Sequence, residues 1–68
     1  MKISYNKLWK LLIDKKMNKT GLTKATGLST STMSKLSRGE NVNTNVLAKI
    51  CQYLDCDLGD IAEITRED

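Results

Sequence analysis

The stretch Thr23-Lys-Ala-Thr-Gly-Leu-Ser-Thr-Ser-Thr-Met-Ser-Lys-Leu-Ser-Arg-Gly-Glu40 decides the fold of this chain. A helical pattern ends at Gly27, and glycine readily takes the positive φ that closes a helix. A new pattern begins after Ser29, a good N-cap. In the new pattern only Met33 and Leu36 are apolar, and they share one helix face. The stretch therefore predicts a helix-turn-helix whose later helix exposes only hydroxyls and cations.

Apolar periodicity and capping residues predict further helices on both sides of this pair. The predicted helices cover residues 6–16, 19–26, 30–37, 44–54 and 58–62, with caps at Asn6, Asn18, Ser29 and Asp57 and an end of the third helix at Gly39. The residues expected to face inward are Leu8, Leu11, Leu12, Leu22, Ala25, Met33, Leu36, Leu47, Ile50, Cys51, Leu54, Leu58 and Ile61. Residues 3–5 and 62–64 flank the helices and are expected to pair as a two-stranded ribbon. Gly21 inside the second helix costs about 1 kcal/mol relative to alanine.

Length and composition indicate one small globular domain over residues 1–68. Hydrophobic residues make up 40% and charged residues 28% of the chain, which are ordinary values for a soluble protein. There is no proline and no low-complexity tract to mark a linker. The longest apolar run, residues 11–13, is far shorter than a membrane span of about 20 residues, and no signal-peptide core follows the start, so we expect a cytoplasmic protein.

The net charge of +3 conceals a strong asymmetry along the chain. Residues 1–49 carry ten Lys or Arg against two acids, a balance of +8, whereas residues 50–68 carry one Arg against six acids, a balance of −5. A basic body attracts polyanions and raises their encounter rate. Nucleic acid is the first expectation for a partner, and an anionic membrane surface is the second.

The residues for catalysis or metal binding are missing from the sequence. There is no histidine, no nucleophile with a partner at readable spacing and no phosphate-cradling glycine loop, so we expect no enzyme and no cofactor. Cys51 and Cys56 are core candidates and suit a reducing compartment. A zinc site would need four ligands, so no metal is expected, and no small-molecule ligand is evident.

The run from Asn18 to Gly39, followed by Val46-Leu-Ala-Lys-Ile-Cys-Gln-Tyr-Leu-Asp-Cys-Asp-Leu-Gly-Asp-Ile61, resembles the lambda-repressor-like (Xre/Cro-type) helix-turn-helix domains. The similarity covers nearly the whole chain and is greatest to small regulators of the YozG-like kind. It implies an all-α, five-helix DNA-binding fold in which residues 18–38 form the helix-turn-helix. It also implies a transcriptional regulator of prokaryotic or phage type, most simply a repressor, that binds duplex DNA as a homodimer.

By position in the motif, the resemblance assigns base reading to the third helix and phosphate binding to the start of the second. Lys35 can donate two hydrogen bonds to guanine O6 and N7, worth about 1–3 kcal/mol of discrimination. The predicted base-reading residues are Thr30, Ser31, Ser34 and Lys35, and the predicted DNA-backbone residues are Asn18, Lys19, Lys24, Thr32 and Arg38. Thr30 and Ser31 are shorter than the amides of several phage repressors, so reading should depend on Lys35, on water or on DNA shape.

Other interpretations of the same residues stay open at this point. The short hydroxyls of the third helix also suit a repressor-derived protein-interaction module, antitoxin-like or a phage-control partner, with only non-specific DNA affinity. Residues 7–16 have the basic and apolar character of a lipid-binding segment, but their apolar stripe is needed for the core. Trp9 and Tyr53 are expected to be packing residues, with a dimer seam as their alternative.

Overall fold

Four α-helices and a two-stranded ribbon form the fold in this computed structural model, which describes residues 2–66. In chain order the elements are β1 (Lys2–Ser4), α1 (Asn6–Asp14), α2 (Lys19–Thr26), α3 (Thr30–Ser37), α4 (Thr44–Leu54), a 3₁₀ turn (Leu58–Asp60) and β2 (Glu63–Thr65). The predicted helical class is confirmed; the count of five helices is not, because the last predicted helix, 58–62, is a 3₁₀ turn over Leu58–Asp60. Glu67 and Asp68, part of the predicted acidic tail, lie outside the described residues.

One apolar core joins all four α-helices and the segments beside the ribbon. Its buried members among the described residues are Tyr5, Leu8, Leu12, Leu22, Met33, Leu36, Leu47, Ile50, Leu54 and Ile61. Leu11 and Cys51 are half-buried against this core. Each fully buried aliphatic side chain contributes about 1.5–3 kcal/mol relative to exposure, so the core is the main stabilising term of this small fold.

Local hydrogen bonds define the boundaries of α2 and α3 where the sequence predicts them. The Asn18 Oδ1 atom accepts from the Gly21 N–H at 2.7 Å, and the Ser29 Oγ atom accepts from the Thr32 N–H at 3.1 Å. Between the two caps, Gly27 has φ 73° in the left-handed region and closes α2. These contacts confirm the predicted helices over 19–26 and 30–37 and fix the turn between them.

The predicted cap of the first helix is wrong. Asn6 is the first residue of α1, and Tyr5 holds the N-cap position without a side-chain cap hydrogen bond. The start is fixed instead by the core, because Tyr5 is buried and its hydroxyl donates to the Glu40 carbonyl at 3.2 Å. The Ser4 hydroxyl accepts a hydrogen bond from the Asn6 N–H at 3.3 Å, which supplies part of the missing cap.

Two residues predicted to face inward are exposed. On α2, Thr26 rather than Ala25 lies half-buried beside the buried Leu22. The Thr26 hydroxyl donates a hydrogen bond to the Leu22 carbonyl at 2.7 Å. Leu58 is 48% exposed, because the capping box of Asp57 and Asp60 closes a 3₁₀ turn that leaves only the following Ile61 in the core. In the segment 58–62, Ile61 is buried and Ala62 is partly buried against the core.

The two-stranded ribbon is confirmed, and each strand lies one residue nearer its chain end than the expected segments 3–5 and 62–64. β1 and β2 are antiparallel, and Lys2, Ile3 and Ser4 lie opposite Thr65, Ile64 and Glu63. Tyr5 lies beyond the last pair because its side chain enters the core. None of the helices within residues 2–66 is long and apolar enough to span a bilayer.

Cys51 and Cys56 are free, half-buried thiols at the C-terminal end of α4. Asp55 has φ 54°, and the Cys56 N–H donates to the Cys51 carbonyl at 3.0 Å, which places the two side chains side by side. Burial, the neighbouring Cys56 thiol and then Asp57 and Asp60 raise the pKa of Cys51 from 9.0 to about 11. The Cys51 thiol is therefore held in its neutral form.

Gly27→Ala should destabilise the fold by about 1–2 kcal/mol, because an L-residue pays this cost in the left-handed region. A Cβ at Gly27 meets no atom within 4 Å, so the loss is purely conformational. Thermal unfolding followed by circular dichroism should show a fall of roughly 4–8 °C per kcal/mol. Gly59→Ala is the matched control, since its Cβ also meets nothing and its φ is not left-handed; equal losses in both variants would contradict this account.

The raised pKa of Cys51 should make stability depend on pH in the alkaline range. The unfolded thiol titrates near the ordinary value of 9.0 and the folded thiol near about 11, so the unfolded state binds fewer protons between these values. The contribution of Cys51 to the free energy of unfolding should fall as pH rises through this window and should be constant below it. Urea titrations at a series of pH values under reducing conditions should show that the free energy of unfolding falls more steeply with pH in the wild type than in Cys51→Ala. Some fall should remain in the variant because Tyr5 still titrates. Parallel curves for the two proteins would refute the assignment to Cys51.

Candidate nucleic-acid interface

The outer surface of α3 is polar because its two apolar residues are both used by the core. Met33 is 7% exposed and Leu36 is fully buried, which fixes the rotation of the helix about its axis. The predicted base-reading residues Thr30, Ser31, Ser34 and Lys35 are all exposed. At positions i, i+1, i+4 and i+5 they occupy one continuous face, as their spacing predicts.

A shallow concavity of about 340 Å³ separates α2 from α3 and brings part of the predicted site together. Its lining residues are Lys19, Thr20, Thr23, Lys24, Thr30, Met33 and Ser34. Two predicted backbone-binding lysines therefore border the same depression as two predicted base-reading hydroxyls. The sequence interpretation missed Thr20 and Thr23, although their spacing with Lys24 at i, i+3 and i+4 indicates a shared face.

Lys19 is held at the start of α2 by an aromatic side chain. Its Nζ atom lies 4.3 Å from the centroid of the Trp9 ring, a cation–π geometry worth about 0.5–1 kcal/mol at an exposed site. Trp9 is half-buried, which agrees with its predicted packing role. The ring attracts the ammonium group without neutralising its charge, so Lys19 can still bind an anion.

Other predicted backbone residues are partly engaged within the chain. The Asn18 oxygen is committed to its cap, so only the amide nitrogen of that side chain is available to a phosphate. The Thr32 hydroxyl accepts from the Ser29 hydroxyl at 2.9 Å, and Thr32 is half-buried. Arg38 forms an ion pair with Glu40, but the two side chains are 61% and 49% exposed, so solvent screens the pair.

Lys35 borders a different depression from Thr30 and Ser34, the other predicted base-reading residues that line one. It borders a concavity of about 650 Å³ together with Lys2, Ile3, Gly39, Glu40, Asn41 and Ile64. The structure thus divides the predicted set, with Thr30 and Ser34 toward α2 and Lys35 toward the ribbon. Ser31 lies on the exposed face of α3 and borders neither depression.

Asp55, Asp57 and Asp60 line neither depression. Asp55 is the C-cap of α4, and Asp57 and Asp60 form the reciprocal capping box of the 3₁₀ turn. Asp14, Asp55 and Asp60 border a separate depression with Lys7, Lys10 and Lys15. No three His, Cys, Asp or Glu side chains within residues 2–66 are placed to hold a metal ion.

Similarity to known proteins agrees with this geometry. Residues 7–67 match the family described as the Cro/C1-type helix-turn-helix (HTH) DNA-binding domain. A crystal structure of the transcriptional regulator VanUg superimposes with a TM-score of 0.94 and 56% sequence identity, over 97% of this chain and 88% of that chain. No curated protein is significantly similar in sequence. The match spans α2, the turn and α3 and confirms the resemblance predicted from the sequence, so the chain belongs to the family of Cro/C1-type HTH DNA-binding domains.

Proposed function

We propose that this protein is a sequence-specific transcriptional regulator that inserts α3 into the major groove of duplex DNA and acts as a repressor. The observation that carries the proposal is the exposed face of Thr30, Ser31, Ser34 and Lys35 opposite the buried Met33 and Leu36. The family membership and the similarity to a transcriptional regulator support it. Repression requires only that the domain occupy a site on DNA that transcription needs. A protein of this kind would act in the cytoplasm.

Base reading in this proposal depends chiefly on Lys35. Its ammonium group can bind guanine O6 and N7 in the major groove, whereas the hydroxyls of Thr30, Ser31 and Ser34 reach only a short distance from the helix. These hydroxyls can bind phosphates directly or bases through water. We therefore expect a recognition sequence with one strongly specified guanine per α3 and weaker preferences beside it.

Phosphate binding anchors α3 in the groove. Lys19, restrained by the Trp9 ring, and Lys24 border the depression beside α3 and supply two cations. Asn18, Thr32 and Arg38 complete the proposed backbone set through the donors that remain after their internal hydrogen bonds. Each neutralised phosphate adds about −0.9 to the slope of log K against log salt.

A two-fold homodimer is the proposed DNA-bound form. It would place two copies of α3 in successive major grooves, with half-sites about 34 Å apart. Tyr53 on α4 is 50% exposed, and a role in a dimer seam is the alternative to its predicted packing role. Repeated selection of bound duplexes from a random library tests this form, and the expected product is a palindromic consensus; a consensus without two-fold symmetry would contradict the dimer.

Lys35→Ala should remove most of the discrimination at the specified guanine, about 1–3 kcal/mol or roughly 5- to 150-fold in the ratio of specific to random-duplex affinity. The measurement is a pair of binding titrations at one salt concentration. Lys10→Ala is the matched control, because Lys10 is exposed and borders the depression with Asp14, Asp55 and Asp60.

Absence of any sequence preference would overturn the proposal. If the wild type shows no preference for any selected sequence and binds duplex DNA no better than about 10⁻⁴ to 10⁻⁶ M, its affinity is non-specific. Sequence-specific regulation would then be refuted. A repressor-derived protein-interaction module would remain as the interpretation of the α3 surface.

A further inference from the structure

The ribbon lies directly against the turn that follows α3. The Ile3 carbonyl oxygen is 4.0 Å from the position that a Cβ at Gly39 would occupy. Immediately after β1, the Tyr5 hydroxyl donates to the Glu40 carbonyl at 3.2 Å, and the Tyr5 ring is 2% exposed. The core thereby fixes β1 beside the C-terminal end of α3.

This placement puts Lys2 near two cations of the α3 region. Lys2 and Lys35 border the same concavity of about 650 Å³. Lys2 also borders a second concavity, of about 270 Å³, together with Ser4, Ser37 and Arg38. Lys2 is exposed, so its ammonium group can reach a ligand that approaches α3 from solvent.

The charges of the described residues around Lys2 favour an anion. Among residues 2–66, Glu40 and Glu63 are the acids beside it; Glu40 is paired with Arg38, and Glu63 lies opposite Ser4 in the ribbon, diagonal to Lys2. Within residues 2–66 the one ion pair joins Arg38 and Glu40, so the ammonium group of Lys2 is not neutralised by a carboxylate of the described chain. Arg66 is exposed and follows the Lys2–Thr65 pair, which adds a further cation at this end of the ribbon.

We infer that the ribbon is a second DNA-binding element, in which Lys2 binds a backbone phosphate beside the groove that α3 enters. The partner is the sugar–phosphate backbone because the cations of the ribbon are continuous with the exposed face of α3, and a duplex seated on Lys35 carries a phosphate about every 1.7 Å of axis. The contact carries no sequence information and fixes the position of α3 in the groove. The inference rests on the proposed function.

The test is the salt dependence of binding, measured by fluorescence anisotropy with a labelled random duplex and with a selected site. Lys2→Gln should make the slope of log K against log salt shallower by about 0.9 on both duplexes. From 50 to 200 mM salt, the factor by which affinity falls should therefore be about 3.5 times smaller for Lys2→Gln than for the wild type. Lys2→Arg should keep the wild-type slope, which separates a phosphate contact from a disturbed ribbon.

Lys10→Gln is the charge-matched control, because it makes the same change of net charge beside Asp14, Asp55 and Asp60. Its slope should equal that of the wild type. An unchanged slope for Lys2→Gln, or an equal change for Lys10→Gln, would overturn the inference while leaving the proposed function intact. Failure of the proposed function has a different signature, in which the wild type prefers no selected site at all.

Discussion

The rotation of α3 about its own axis is the constraint on which the rest of the surface depends. Only Met33 and Leu36 of its eight residues are apolar, and burial of both leaves one possible outward face. The turn upstream places α3 against α2 through Gly27 and the Ser29 cap, neither of which requires a distant contact. Two buried apolar side chains and a short turn are therefore enough to expose Thr30, Ser31, Ser34 and Lys35 to solvent.

Three carboxylates late in the chain lie apart from the lysines beside α3. Lysines of α2 and α3 border depressions that Asp55, Asp57 and Asp60 do not line, because these acids are held at the end of α4 and in the 3₁₀ turn. The caps of these late elements thus also keep these three carboxylates out of the depressions beside α3. The same carboxylates therefore affect both the stability of the fold and the electrostatic field around it.

Features set by local chemistry could be predicted from the sequence, and features set by distant contacts could not. The bounds of α2 and α3 follow from Asn18, Gly27 and Ser29, whose hydrogen bonds and φ angle involve only neighbouring residues. The start of α1 was mispredicted because Tyr5 is fixed by Glu40, 35 residues away. The exposed face of α3 could likewise be predicted from the helical spacing of its apolar residues alone. The position of Lys2 beside Lys35 could not, because it depends on the pairing of the β-strands at the two ends of the chain.

Methylation interference on a selected duplex tests the central claim, that the face of α3 reads the major groove. Guanine N7 lies in the major groove and adenine N3 in the minor groove, so the position of interfering methyl groups reports which groove the protein occupies. Methylation of guanine N7 at a specified guanine in the site should block binding. Interference confined to adenine N3, with guanine N7 methylation tolerated throughout, would contradict it.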